Sequence, residues 1–142
     1  MAYNEYFSIE QAEERLLTIK PLLEHARLHK REIEAIAASC SYDHILLEEH
    51  RPRLAKLAAQ LGQTVEALEE LGCYIKDLDV GIVDFLSKFE GRDIFLCWRF
   101  GEEKICHWHE IDESFAQREE ILDLSDIPAE WEFETPVVEN EN

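Results

Sequence analysis

Apolar residues in the first half of the chain recur at helical spacing. Between residues 9 and 40 they follow one another at alternating intervals of three and four, with a single lysine among them. The members of this seam are Ile9, Ala12, Leu16, Ile19, Leu23, Ala26, Lys30, Ile33, Ala37 and Cys40. The pattern predicts one long amphipathic helix of the coiled-coil type. Ser8, followed three residues later by Gln11, has the spacing of a capping box, so we expect the helix to begin directly after Ser8.

A second apolar stripe follows a break at residues 39–43. Asp43 can cap the N-terminus of a helix, and Gly72 suits the position just beyond a C-terminus. The stripe between them consists of Leu47, Leu54, Leu57 or Ala58, Leu61, Val65, Leu68 and Leu71. Two helices of similar length joined by a short break predict an antiparallel hairpin over residues 8–71. A hairpin of this size has too little core to be stable alone, so it needs the rest of the chain or a second subunit.

After Gly72 the pattern changes to short apolar runs separated by turn residues. The candidate strands cover residues 73–78, 80–87, 93–100 and 104–111. Glu90-Gly91 is a hairpin-turn signal between two of them. The sequence therefore predicts an α+β fold, in which the long helical hairpin precedes a small three- or four-stranded antiparallel sheet over residues 72–118.

Charge is distributed unevenly along the 142 residues, whose net charge is −18. Residues 119–142 hold nine acidic residues and no basic ones. We expect a single domain over residues 1–118 and a partly disordered acidic tail over residues 119–142. The acidity, without any basic stripe, argues against binding to a nucleic-acid backbone or to an anionic membrane surface. No apolar run is long enough to cross a bilayer and no leader is recognisable, so we expect a cytoplasmic protein with reduced cysteines.

The register of the predicted sheet decides which side chains share a face. If Glu90-Gly91 is a two-residue loop, Asp84 lies opposite Cys97. If the next turn also holds an even number of residues, His107 and His109 share the face that packs on the helices. The other face is then largely apolar and needs a cover, which the tail, a second subunit or a ligand could supply.

In this register Asp84, Arg99 and Glu110 share the second, largely apolar face. One guanidinium can bind one carboxylate in a bidentate manner. The spare carboxylate is then protonated, bound to a metal, or available as a general base with a raised pKa. The alternative is an ion-pair network that sets the strand register or a dimer interface.

His107 and His109 form a His-x-His pair that can supply two nitrogens to a metal from one face of a strand. A third ligand would come from the start of the second helix, where the candidates are His44, Glu48, Glu49 and His50. Imidazole donors favour a transition metal such as zinc or iron over calcium or magnesium. The alternative is a pair of hydrogen-bonded strand histidines without a metal.

Several short segments form a combination that is similar to a known family. They are Tyr6-Phe7-Ser8-Ile9-Glu10-Gln11-Ala12, Gly81-Ile82-Val83-Asp84-Phe85, Leu96-Cys97-Trp98-Arg99-Phe100-Gly101-Glu102, Trp108-His109-Glu110 and Phe115-Ala116-Gln117-Arg118. Over residues 6–120 the chain resembles a small uncharacterised prokaryotic family, domain of unknown function 2203. The resemblance implies no activity, but it directs attention to the polar residues Asp84, Arg99, Glu102, His109, Glu110 and Arg118. Ser114 and His107 depart from the family pattern, where glycine and an aromatic residue are expected.

Two functions are compatible with these patterns. We expect a homodimeric ligand- or metal-binding or interaction module, whose polar site on the sheet consists of Asp84, Arg99, Glu102, His109, Glu110 and Arg118. Its partner would be a second copy, a small ligand or another protein. The alternative is a small metal-assisted, hydrolase-like enzyme, in which His109 holds the ion and Glu110 or Asp84 acts as base.

Overall fold

Two long helices are followed by a five-stranded antiparallel sheet in the computed structural model, which describes residues 5–121. The elements are α1 (Ile9–Ser39), α2 (His44–Glu70), β1 (Tyr74–Asp77), β2 (Ile82–Phe89), β3 (Arg92–Arg99), β4 (His107–Glu110), a single 3-10 turn (Phe115–Gln117) and β5 (Glu119–Glu120). The order of strands in the sheet follows the chain. The predicted α+β arrangement of a helical hairpin and an antiparallel sheet is confirmed, with five strands instead of three or four.

The helix starts are stabilised by the caps that the sequence predicts. Ser8 Oγ accepts a hydrogen bond from the Gln11 backbone N–H, and Gln11 Oε1 accepts one from the Ser8 N–H, so the capping box is complete. Asp43 Oδ1 accepts from the Leu46 N–H at the start of α2. The helix α1 continues through Pro21, which lies on its exposed side. Both predicted helices therefore begin where their capping residues place them.

The core lies between the sheet and the nearer half of the hairpin. The helical side chains that are fully buried there are Leu68 of α2 and five residues of the predicted seam of α1, namely Ala12, Leu16, Ile19, Leu23 and Ala26. The sheet covers them with Val83, Phe85, Ile94, Leu96, Trp98 and Trp108. The seam residues from Lys30 onward are absent from this cluster, so the sheet buries only the first part of the seam.

The segment before α1 occupies the edge of the sheet beside the end of β2. The Phe7 N–H donates to the Leu86 carbonyl at 2.7 Å, and Ser87 Oγ donates to the Phe7 carbonyl at 2.6 Å. Because β1 pairs only with the beginning of β2, this segment satisfies backbone groups that β1 does not reach.

The turn between β2 and β3 has the predicted length. Glu90 and Gly91 both have positive φ, at 53° and 79°, as a two-residue primed turn requires. Asp84 accordingly lies opposite Cys97 in the sheet.

The predicted register of β4 is wrong by one residue. Trp108 lies opposite Leu96 and packs toward the helices, whereas His109 lies opposite Phe95 on the outer face. The connection between β3 and β4 has seven residues, 100–106, which is an odd number and therefore exchanges the faces. Among the contacts that hold it, Trp98 Nε1 donates to the Glu102 carbonyl, and the Ile105 N–H donates to Glu13 Oε2 on α1.

The described structure continues past the predicted end of the domain at residue 118. Glu119 and Glu120 form β5 on the edge of β4, and the Ile121 N–H donates to the Cys106 carbonyl at 2.7 Å. The remainder of the predicted acidic tail, residues 122–142, lies outside the described residues. Among residues 5–121, neither long helix is apolar enough over a sufficient length to cross a membrane.

We predict that Gly81→Ala destabilises the protein more than Gly91→Ala. Both glycines have positive φ, so each substitution should cost about 1–2 kcal/mol in backbone strain. A Cβ at residue 81 would also lie 2.5 Å from Phe100 Cβ, whereas nothing lies within 4 Å at residue 91. Urea unfolding should show a further loss of about 1–3 kcal/mol for Gly81→Ala. Equal losses in the two variants would contradict the close contact with Phe100.

Candidate functional site

Three adjacent strands bring a carboxylate, a thiol and an imidazole together on the outer face of the sheet. Asp84 lies on β2, Cys97 on β3 and His109 on β4, with exposed fractions of 1%, 0% and 2%. One oxygen, the sulfur and one nitrogen of these residues all lie within 4.8 Å of one another. Within residues 5–121 no other group of three or more histidine, cysteine and acidic side chains is this close. We call these three residues the buried cluster.

The small side chain of Cys97 allows Asp84 and His109 to meet. Neighbouring strands are about 4.8 Å apart, so β2 and β4 are separated by about 10 Å and their side chains must cross β3. Cys97 is directly opposite Asp84. His109 lies opposite Phe95 on the other side of β3, and its Nε2 lies 2.9 Å from Asp84 Oδ2. The Phe95 ring, 5.6 Å from the imidazole between centroids, flanks this contact.

The hydrogen bonds of His109 determine where its protons lie. Nδ1 is 2.7 Å from the Glu110 carbonyl, which can only accept, so Nδ1 carries a proton. The contact between Nε2 and Asp84 then needs a second proton, which makes the pair an imidazolium with a carboxylate or a neutral imidazole with a carboxylic acid. Burial lowers the pKa of His109, but the hydrogen bonds to Asp84 and to the Glu110 carbonyl outweigh it, so the pKa is raised overall.

Asp84 is incompletely satisfied by its surroundings. Within the described part of the chain, its second oxygen, Oδ1, is buried and has no hydrogen-bond partner. The nearest cation is Lys76, whose Nζ lies 4.0 Å from Asp84 Oδ2 and over the Phe95 ring. A buried carboxylate oxygen without a donor is energetically costly, which marks this position as one that a ligand could stabilise.

Cys97 is a thiol at neutral pH and does not form a nucleophile–base pair with His109. Burial raises its pKa to about 12, the Asp84 carboxylate also raises it, and Arg118 opposes the change. Neither imidazole nitrogen is available to take the thiol proton, because Nδ1 bonds Glu110 and Nε2 bonds Asp84. The geometry therefore does not support a cysteine-dependent hydrolase.

A second polar group adjoins the buried cluster. Arg118 binds Glu102 with both terminal nitrogens, at 3.2 and 2.5 Å, and stacks over Phe115. Burial raises the pKa of Glu102, but the Arg118 guanidinium outweighs it, so the pKa is lowered overall. His107 Nδ1 lies 3.9 Å from Glu102 Oε2. Arg118 also interacts with Cys97, so the two groups are neighbours on the outer face.

The predicted grouping of Asp84, Arg99 and Glu110 is wrong. Asp84 pairs with His109, while Glu110 binds Arg92 through two hydrogen bonds of 3.0 and 2.7 Å. The shifted register of β4 is the cause, because it places Glu110 opposite Ile94 instead of on the Asp84 face. Arg99 is exposed, and among the described residues its guanidinium makes no hydrogen bond or ion pair.

The predicted metal ligands are brought together only in part. His107 and His109 share one face of β4 as expected, but that face points away from the helices. The residues proposed from the start of α2 are His44, Glu48, Glu49 and His50, and none of them belongs to the buried cluster. Glu48 pairs instead with Arg51 on the same helix. Sequence reasoning missed Cys97 as a member of the buried cluster, although its position opposite Asp84 followed from the Glu90-Gly91 turn.

The raised pKa of His109 predicts a pH dependence of stability in metal-free protein. Because the pKa of His109 is higher in the folded state than in the unfolded state, protonation of His109 stabilises the fold. This stabilisation is complete below the pKa of the unfolded state, about 6.5, and is lost as the pH rises through the pKa of the folded state. The free energy of unfolding, measured with a chelator present, should therefore fall over the pH interval that begins at about 6.5. Asp84→Asn should cost about 3 kcal/mol at pH 6 and flatten this slope. A stability that rises with pH over this interval would contradict the assignment.

Comparison with known proteins places the described part of the chain in one family. A family model described as "Uncharacterized conserved protein (DUF2203)" matches residues 5–121, a range that contains all three residues of the buried cluster. No curated protein and no solved structure matches the chain. The resemblance to domain of unknown function 2203 that the sequence shows is thereby confirmed.

Proposed function

The chain belongs to this uncharacterised DUF2203 family, and we propose that it is a metal-binding protein whose ligands are Asp84, Cys97 and His109. One observation carries the proposal. His109 Nδ1 already holds a proton, so in the neutral ring the Nε2 lone pair faces an Asp84 oxygen at 2.9 Å. Two electron-pair donors at that distance require a proton or a metal cation between them.

The spacing of the buried cluster fits a small tetrahedral ion. Zinc binds nitrogen and oxygen at about 2.0–2.2 Å and sulfur at about 2.3 Å, so ligand atoms around it are about 3.3–3.7 Å apart. The three donor atoms lie within 4.8 Å of one another. The 2.9 Å distance between His109 Nε2 and Asp84 Oδ2 would have to increase by only a few tenths of an ångström to admit the ion.

The donor types favour zinc or another transition ion. Nitrogen and sulfur ligands suit zinc, iron or cobalt, whereas calcium and magnesium prefer oxygen. The bond from His109 Nδ1–H to the Glu110 carbonyl is the kind of second hydrogen bond that orients a metal-binding histidine. The metal would displace the thiol proton of Cys97, so its affinity should rise with pH.

A structural or sensing role agrees better with the burial than catalysis does. Three protein ligands would leave a fourth position for water, as in metal-assisted hydrolases. The donor side chains are at most 2% exposed, however, which leaves a substrate little access. Glu110 faces the other side of the sheet and is not placed to act as the base. A reducing cytoplasmic location belongs to the proposal, because Cys97 must remain a free thiol, as all four cysteines are.

Elemental analysis of untagged protein tests the proposal. We expect about one equivalent of zinc or another transition metal per chain, or uptake of one equivalent when zinc is titrated against a chromophoric chelator. His109→Ala and Cys97→Ser should each weaken binding at least 100-fold. His107→Ala and Cys106→Ser are matched controls outside the cluster and should bind as the wild type does.

Circular dichroism of each variant separates loss of the site from loss of the fold. Absence of stoichiometric binding in folded wild-type protein would overturn the proposal. Equal weakening by His107→Ala and His109→Ala would instead indicate a site centred on the His107-x-His109 pair.

A further inference from the structure

The outer half of the helical hairpin packs mainly on itself, and Lys30 links it to the rest of the protein through an ion pair with Asp79 Oδ1 at 2.7 Å. We define this free end as residues 28–57. None of its residues belongs to the hydrophobic core that the sheet and the rest of the hairpin form. It retains large apolar side chains in solvent: Leu28 is 53% exposed, Ile45 is 75% exposed and Tyr42, at the tip, is fully exposed. Exposed apolar groups concentrated at one end of a small protein favour an interaction surface.

The free end is also electrically neutral in an otherwise acidic chain. It holds five acidic and five basic residues, whereas the whole chain has a net charge of −18. Its charges are largely paired internally, as in Arg53 with Glu32 and Arg51 with Glu48. Two copies of this chain repel each other electrostatically over most of their surface. Two free ends carry no net charge, so they can approach each other without this repulsion.

We propose that the free ends of two copies pack on each other and form a homodimer. Residues 28 to 39 of α1 span about 17 Å at 1.5 Å per residue. In an antiparallel overlap of that length, the tip of one hairpin, with Tyr42 and Ile45, reaches the level of Leu28 in the other. Four helical segments then form a small bundle.

The size of the free end sets the strength of the dimer. Two helices, each about 10 Å wide, present a face of roughly 350 Å² in projection. Stable dimers bury about 800 Å² per partner, so the association is weak and belongs in the micromolar range. Added salt strengthens it, because salt screens the repulsion between two chains of −18. The dimer does not depend on the proposed metal site, which lies on the outer face of the sheet.

Analytical ultracentrifugation of the full untagged chain, from 1 to 200 µM and with a chelator present, tests this proposal. We expect a concentration-dependent monomer–dimer equilibrium. Ile45→Glu should raise the dissociation constant at least tenfold, because each copy then brings a carboxylate to the level of Leu28 in the other copy and must desolvate it there. Leu17→Glu is the matched control: Leu17 is a 72% exposed leucine of α1 outside the free end, and its variant should dimerise as the wild type does.

Any of the following results would overturn the proposal. A wild-type chain that stays monomeric to 200 µM would show that the free end does not self-associate. A dimer that Ile45→Glu leaves intact, or that Leu17→Glu disrupts equally, would place the interface elsewhere. Both substituted residues are exposed, so loss of the fold does not confound the comparison.

Discussion

The hydrogen bond between His109 and Asp84 is the contact on which the outer face of the sheet depends. It joins β2 to β4 across β3, and both side chains are almost completely buried. Three features make it possible: the two-residue turn places Asp84 opposite Cys97, the small thiol leaves room above β3, and the odd-numbered connection turns His109 outward. A single-residue change in either register would separate the pair and leave a buried carboxylate without a partner.

Local signals predict most of the fold. The heptad seam and the capping box predict α1, and Glu90-Gly91 sets the register between β2 and β3. The register of β4 depends on contacts that are not local, since Trp98 and Glu13 hold the connection from other elements. The alternation of apolar and polar residues does not determine the register of β4, because Trp108 points to one face and the imidazole rings of His107 and His109 point to the other.

The error in β4 explains the errors in the candidate site. Once β4 is shifted by one residue, Glu110 meets Arg92 and His109 meets Asp84. Asp84 and His109 were among the sequence candidates, but they were placed on opposite faces. The Arg118–Glu102 pair was visible only as two separate polar residues, because a 3-10 turn and a loop bring them together.

The absorption spectrum of the cobalt(II)-substituted protein tests the central claim most directly. A site built from Asp84, Cys97 and His109 predicts a thiolate-to-cobalt charge-transfer band, together with the intense d–d bands of tetrahedral cobalt. The charge-transfer band should disappear in Cys97→Ser and persist in Cys106→Ser. A wild-type spectrum with only the weak bands of octahedral cobalt, or a charge-transfer band that survives in Cys97→Ser, would contradict the account.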